Sequence, residues 1–128
     1  MKEATTVLSL MQWKRVIVLL LAAMWAGTAL SHATPEESDP GAGVELHQSP
    51  TVVSVRFDSD LEPLFSRLIV KDAEGKQISD GNGTVGPSNA RMLMTRLAGR
   101  TKGVYHVYWS VVSRDGHRTE GDYTFAVD

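Results

Sequence analysis

From residue 32 onward the chain is predicted to fold as an all-β domain, a small antiparallel sandwich or barrel. Three observations carry this expectation. Short apolar runs with period-two alternation recur through the second half of the 128-residue chain. Turn signals rich in Gly, Pro, Asp and Asn separate those runs. No segment beyond the leading apolar stretch shows a helical period, so sheet on sheet is the packing that remains.

Residues 1–31 are set apart from that domain. Lys14 and Arg15 precede Val16 to Trp25 (VIVLLLAAMW), an apolar run of signal-peptide length and short for a membrane span. Ala29-Leu30-Ser31 has the small-x-small form that signal peptidase accepts. Cleavage after Ser31 is therefore expected, dividing the chain into a signal peptide, 1–31, and a domain, 32–128, that begins at His32. Ser31-His32-Ala33 offers a second cut, after Ala33, that would discard the histidine. An uncleaved anchor is disfavoured by the length of the run.

Charge and cysteine content narrow the function classes. The chain has 13 basic and 15 acidic side chains. Lys2, Lys14, Arg15 and Glu3 lie in the leader, so cleavage leaves 10 and 14 and a net charge of −4 with histidine neutral. A mildly acidic domain without a Lys/Arg cluster argues against nucleic acid. The absence of cysteine excludes thiolate zinc and iron–sulfur sites.

The elements follow in order. From His32 to Pro50 (HATPEESDPGAGVELHQSP) the chain suits an extended arm or edge strand, because Pro35, Pro40 and Pro50 make a poor central strand. Val44 and Leu46 are its core candidates, and His47 reads as a surface turn residue. Thr51 to Phe57 alternates, with Val53, Val55 and Phe57 on one face, as a half-buried strand does. Asp58 to Pro63 (DSDLEP) is an acidic turn expected to face water. Arg67 to Lys71 is a short strand, and Asp72 to Lys76 closes a hairpin through which Gln77 and Ile78 return. Asp80 to Asn89 (DGNGTVGPSN) reads as loop. Its Gly-x-Gly is no phosphate loop, since no apolar strand leads in and no helix pattern follows.

Arg91 to Leu97 (RMLMTRL) is the next strand. Met92 and Met94 share one side of it, where two thioethers would suit Cu(I), but methionine in an apolar run is expected to fill the core. Val104 to Val112 (VYHVYWSVV) is the strongest strand: Tyr105, Val107, Trp109 and Val111 form its core face, and His106 belongs to the rim. Gly121 to Val127 alternates again, with Tyr123, Phe125 and Val127 together.

The candidate chemistry lies where the strongest strand gives out. Asp115 and His117 stand two residues apart, and in extended chain such residues point to one side. Together they offer an oxygen and a nitrogen to one point. A third donor comes from the start of the domain, because a terminal His32 presents its free α-amine and its imidazole to one ion as a chelate. A small β fold can bring its first residues beside a late loop.

At this point the residues resemble a family. His32-Ala33, Ser38-Asp39-Pro40, Phe57 before an acidic turn, Gly103-Val104-Tyr105, Trp109 through His117 (WSVVSRDGH) and Tyr123-Thr124-Phe125 look like the bacterial CopC copper-resistance family over essentially the whole of 32–128. The resemblance implies a periplasmic Greek-key β-sandwich of immunoglobulin-like type. It also implies a protein that binds Cu(II) and hands it on or sequesters it beside an inner-membrane CopD-type copper transporter. The family's N-terminal histidine falls on His32 and its late Asp and His on Asp115 and His117, an N₃O set suited to tetragonal Cu(II). Two departures stand out. Ser59 occupies the position of a glutamate that approaches copper in many members, leaving Asp58 or Asp60 to substitute or the site one ligand short. The stretch corresponding to a methionine-rich Cu(I) loop, Lys71 to Gly81, contains no methionine.

The expectation is thus a monomeric, non-enzymatic Cu(II)-binding protein, with metal ligands His32, Asp115 and His117 and no catalytic residues. Two alternatives belong to other classes. An oxidative copper enzyme of histidine-brace type would need an open coordination position and a substrate face, whereas Asp115 stands near the copper. A metal-free exported interaction module would show no stabilisation by Cu(II), although a ligand that binds only the folded state must stabilise it.

Overall fold

The computed structural model describes residues 32–99 and 101–128, and the expected signal peptide and its cleavage site lie outside the described residues. Eight strands follow one another: β1 (Pro35–Asp39), β2 (Glu45–Leu46), β3 (Val52–Phe57), β4 (Arg67–Lys71), β5 (Thr84–Gly86), β6 (Asn89–Arg96), β7 (Gly103–Val112) and β8 (Arg118–Val127). They form two four-stranded sheets, in the orders β1-β3-β6-β5 and β2-β8-β7-β4. The all-β expectation holds; among the described residues the one helical element is a 3₁₀ turn at Pro63–Phe65.

Alternation decides which side chains enter the core, because a strand with one buried face has its register set by that face. In β3, Val53, Val55 and Phe57 are buried; in β7, Tyr105, Val107 and Val111; in β8, Phe125 and Val127. Each such apolar side chain contributes about 1.5–3 kcal/mol when fully buried. The Tyr105 and Phe125 rings stack with centroids 4.9 Å apart. The Tyr105 hydroxyl is also satisfied, accepting the Thr101 N–H at 2.9 Å and lying 3.1 Å from Ser49 Oγ, so this aromatic pair carries no unpaired polar group into the core.

Several details differ from the sequence expectation. The pairing is not wholly antiparallel: β2 runs parallel to β8, with Glu45 opposite Ala126 and Leu46 opposite Val127. The chain leaves β1, turns through Pro40 to Val44 and enters the other sheet, so one arm serves as an edge of both layers. Leu46 packs against the core as expected, but Val44 is exposed. Within the expected loop 80–89, Thr84–Gly86 pairs with β6; three residues beside glycines carry too little alternation to be read as a strand.

The methionines are the clearest correction. Across β3 and β6, Val53 faces Thr95 and Val55 faces Leu93, which turns Leu93 and Thr95 inward. Met92 and Met94 therefore lie on the outer face, half-buried, and do not fill the core. Trp109 is half-buried as well. It meets Phe57 edge-on, with centroids 5.3 Å apart at 75°, and packs against the core from its rim.

Trp109 explains a glycine. Gly121 lies opposite it in β8, and a Cβ at residue 121 would fall 2.3 Å from Cζ2 and 2.7 Å from Cε2 of the indole. A rigid ring cannot yield as a flexible chain end does. Gly121→Ala is expected to destabilise the domain by about 1–3 kcal/mol, as overpacking does, and to lower the melting temperature by at least about 4 °C. Thermal denaturation of the two proteins checks this, and an unchanged melting temperature would contradict the packing described.

Candidate metal centre

Strand β7 ends at Val112, and the chain reverses within a few residues. The Gly116 N–H donates to the Ser113 carbonyl at 2.8 Å, and the Ser113 N–H donates to the His117 carbonyl at 3.0 Å. Gly116 has φ +90°, a conformation glycine adopts without the steric penalty of a Cβ. Asp115 and His117 are thus brought together by a turn, whereas the sequence reading invoked strand alternation. The distinction matters, because the turn folds the carboxylate back onto its own loop. Asp115 Oδ1 accepts the His117 N–H at 3.1 Å and the Ser113 hydroxyl. These donors, the Ser113 hydroxyl foremost, hold the Asp115 carboxyl below its ordinary value of 3.8.

The His117 ring stands over the same loop. Its Nδ1 lies 3.1 Å from Asp115 Oδ2, within ion-pair distance. Nδ1 is a buried nitrogen, and this carboxylate is its polar neighbour.

His32 reaches this point along the arm that precedes β1. Ala33 is buried in the core cluster. The Thr119 hydroxyl on β8 donates to the Ala33 carbonyl at 2.7 Å. One residue on, the Thr34 N–H donates to Asp58 Oδ1 at 2.8 Å, and the Asp58 N–H donates to the Thr34 carbonyl at 3.0 Å. The arm is therefore tied to residues of both sheets before it enters β1. The outcome is an edge-on approach of the His32 and His117 rings, with centroids 4.9 Å apart at 70°.

The two aspartates offered by the sequence as substitutes for the missing glutamate have different surroundings. Asp58 is committed to the arm: Oδ1 takes the Thr34 N–H and, at 3.0 Å, the Ser59 hydroxyl. The Thr34 amide is the main cause of its lowered pKa. Asp60 faces two guanidinium groups, 3.4 Å from Arg91 Nε and 3.6 Å from Arg114 Nη1. A bridge between Leu61 and Ser113 sets this acidic turn beside the Asp115 turn, and Ser59, Asp60 and Asp115 line one shallow cleft between them.

Of the predicted ligands, His32 meets His117 and Asp115 meets His117. Among the described residues no three His, Cys, Asp or Glu side chains converge as a ready-made cage. The α-amine of a terminal His32 would be a further donor that no side chain supplies. His47 is an exposed residue paired with Asp128 at 2.9 Å, as its reading as a surface residue implied. His106 stacks on Tyr108 on the outer face of its sheet. Sequence reasoning missed Thr34, Asp58 and Thr119 as anchors. One signal was available: residue 119 shares the parity of Tyr123, Phe125 and Val127, and a threonine on a core-facing side needs a partner.

Comparison with known proteins places these features in a wider set. Residues 35–128 match the CopC domain family. The chain is 30% identical over 110 residues to Protein YobA of Escherichia coli (strain K12), covering 85% of each. It is 27% identical over 113 residues to the copper transport protein CutJ of Bacillus subtilis (strain 168), covering 88% of this chain but 21% of that protein; the chain spans about a fifth of CutJ. The crystal structure of CopC from Methylosinus trichosporium OB3b superposes with a TM-score of 0.67 at 31% identity, covering 76% of this chain and 94% of that one. PcoC, a methionine-rich copper resistance protein from Escherichia coli, shares the fold at 22% identity, with a TM-score of 0.66 and coverage of 77% and 100%.

The lowered carboxyls of Asp58 and Asp115 have a consequence for acid stability. A carboxyl whose folded pKa lies below its unfolded value stabilises the fold above that unfolded value, and the contribution is lost as pH falls through the folded one. Below the ordinary value of 3.8, the arm and the Asp115 turn are expected to loosen before the core strands. Amide exchange read by NMR along an acid titration should show Thr34 and His117 losing protection ahead of Val55 and Val107. Loss of all four together would contradict this order.

Proposed function

Because this chain belongs to the CopC family, we propose that it is an exported, periplasmic protein that holds Cu(II) as cargo between His32, Asp115 and His117. CopC proteins are copper resistance and transport proteins and not enzymes. Copper is thus the ion to consider, and binding rather than turnover the activity.

The observation that carries it is the 4.9 Å approach of the His32 and His117 rings, with Asp115 Oδ2 3.1 Å from His117 Nδ1. Two imidazoles and a carboxylate are donors of the borderline kind that divalent copper favours, and cleavage after Ser31 would add the α-amine of His32. The donor set fits the ion in a second respect. His117 Nδ1 is a buried nitrogen whose polar neighbour is the Asp115 carboxylate, so the imidazole and the carboxylate already face one point. The hydroxyl and amide on Asp115 keep it ionised and aimed at His117, as the groups behind a metal ligand do. The protein would act as a monomer, sequestering copper or delivering it to an inner-membrane CopD-type transporter, with no role for nucleic acid.

Trp109 is the single tryptophan from residue 32 onward, so quenching of its fluorescence follows Cu(II) titration. His32→Ala and His117→Ala are each expected to weaken binding by more than about 100-fold, beyond the 10–100-fold that loss of an outer partner costs. Asp115→Ala should cost less, on the order of tenfold, because it removes an oxygen and keeps the nitrogens. Affinity should also fall with pH, since the amine and imidazoles bind metal only when unprotonated. Wild-type affinity in His117→Ala would remove this assignment.

A further inference from the structure

The residues that place His32 are distinct from those proposed to touch copper. The segment His32 to Thr34 lies ahead of β1 and outside both ladders, and such a terminus is poorly ordered unless something ties it down. Here two side chains do so from opposite layers. Asp58 follows directly on β3, in one sheet, and exchanges two hydrogen bonds with Thr34, at 2.8 and 3.0 Å. Thr119 sits in β8, in the other sheet, and holds the Ala33 carbonyl at 2.7 Å. The Thr34 hydroxyl in turn donates to the His32 carbonyl at 3.3 Å, so the ties extend to the histidine itself. Between them, the buried Ala33 fixes the depth of the arm.

We propose that Asp58 and Thr119 are positioning residues that clamp the arm between the two sheets, hold His32 against His117 and thereby set the affinity of the site for Cu(II). The affinity part rests on the copper reading above; the clamp itself does not. An ion that must first order a loose terminus pays the entropy of doing so out of its own binding, whereas a clamped terminus is preorganised. Asp58 acts in this account through Thr34 rather than as the missing copper ligand. Its Oδ1 already accepts two hydrogen bonds, and an asparagine at residue 58 would keep that acceptor while losing the charge.

The test uses the protein recovered after export from the full-length chain, as wild type and as Asp58→Ala, Asp58→Asn, Thr119→Val and Thr119→Ser. Two readouts are taken: the nuclear Overhauser contact between the His32 and His117 rings in metal-free protein, and the dissociation constant for Cu(II). Asp58→Ala and Thr119→Val should each lose the ring contact and weaken Cu(II) binding about tenfold, the scale of one to two hydrogen bonds. Asp58→Asn and Thr119→Ser should keep the contact and bind within about threefold of wild type. Melting of each metal-free variant identifies any that fails to fold, and the Asn and Ser variants then decide. A ring contact that persists in Asp58→Ala and Thr119→Val would overturn the clamp. So would an Asp58→Asn protein that keeps the contact yet binds copper as weakly as Asp58→Ala, which would make Asp58 a ligand. If the wild type binds no Cu(II), the copper reading fails, and the ring contacts of the variants still decide the clamp.

Discussion

A ten-residue strand flanked by partners on both sides can bury one face only, and in β7 that face is Tyr105, Val107, Trp109 and Val111. Much else follows from this constraint. A shift of one residue would send these side chains to solvent and His106, Tyr108 and Ser110 into the core, so the pairing with β4 and β8 has a single register. That register sets Gly121 beneath the Trp109 ring and Thr119 opposite Val111. It also fixes where β7 runs out, and the turn from Ser113 to His117 inherits its place from the packing below it. A loop carrying a histidine and a carboxylate is held by a rigid scaffold, the arrangement in which binding residues are commonly found.

The arm from His32 joins this scaffold at its seam. Its ties go to the end of β3 through Asp58 and to β8 through Thr119, one in each sheet. The arm then crosses from the first sheet to the second, entering as β1 beside β3 and leaving as β2 beside β8. A strap with contacts in both layers senses their separation, and the ring-to-ring distance at His32 and His117 is set by the sandwich as a whole. The hydrogen bonds that fix it are individually modest, about 0.5–1.5 kcal/mol each. They matter because they order the first residues of the domain, where thermal motion otherwise dominates.

What could be read from the sequence tracks the range of the interactions involved. β3, β4, β7 and the second half of β8 are legible, since alternation of Val53, Val55 and Phe57, or of Tyr123, Phe125 and Val127, is a local record of one buried face. β5 was not, being three residues long; the arm was read as an edge strand, but its crossing to β8 as the two-residue β2 depends on neighbours far away in the chain. Met92 and Met94 show the limit of composition: alternation paired them correctly on one side but could not say which side met the core, and Leu93 decided it. Asp115 and His117 were visible as a pair, for a reason the turn replaces. The approach of His32 to His117 spans almost the full length of the domain; the cleavage pattern at Ser31 marked His32 as a donor and the resemblance to CopC agreed, but no local pattern could give the contact itself. The anchors at Asp58 and Thr119 are long-range for the same reason.

The proposed copper site requires His32 to be the first residue of the exported protein and a donor through both its nitrogen groups. The direct measurement is the intact mass of the protein recovered after export, followed by electron paramagnetic resonance of the same material loaded with one equivalent of Cu(II). A mass that begins at His32 and a tetragonal signal with couplings to nitrogen are expected. A mass that begins after Ala33, or a Cu(II) signal without nitrogen couplings, would contradict the proposed site.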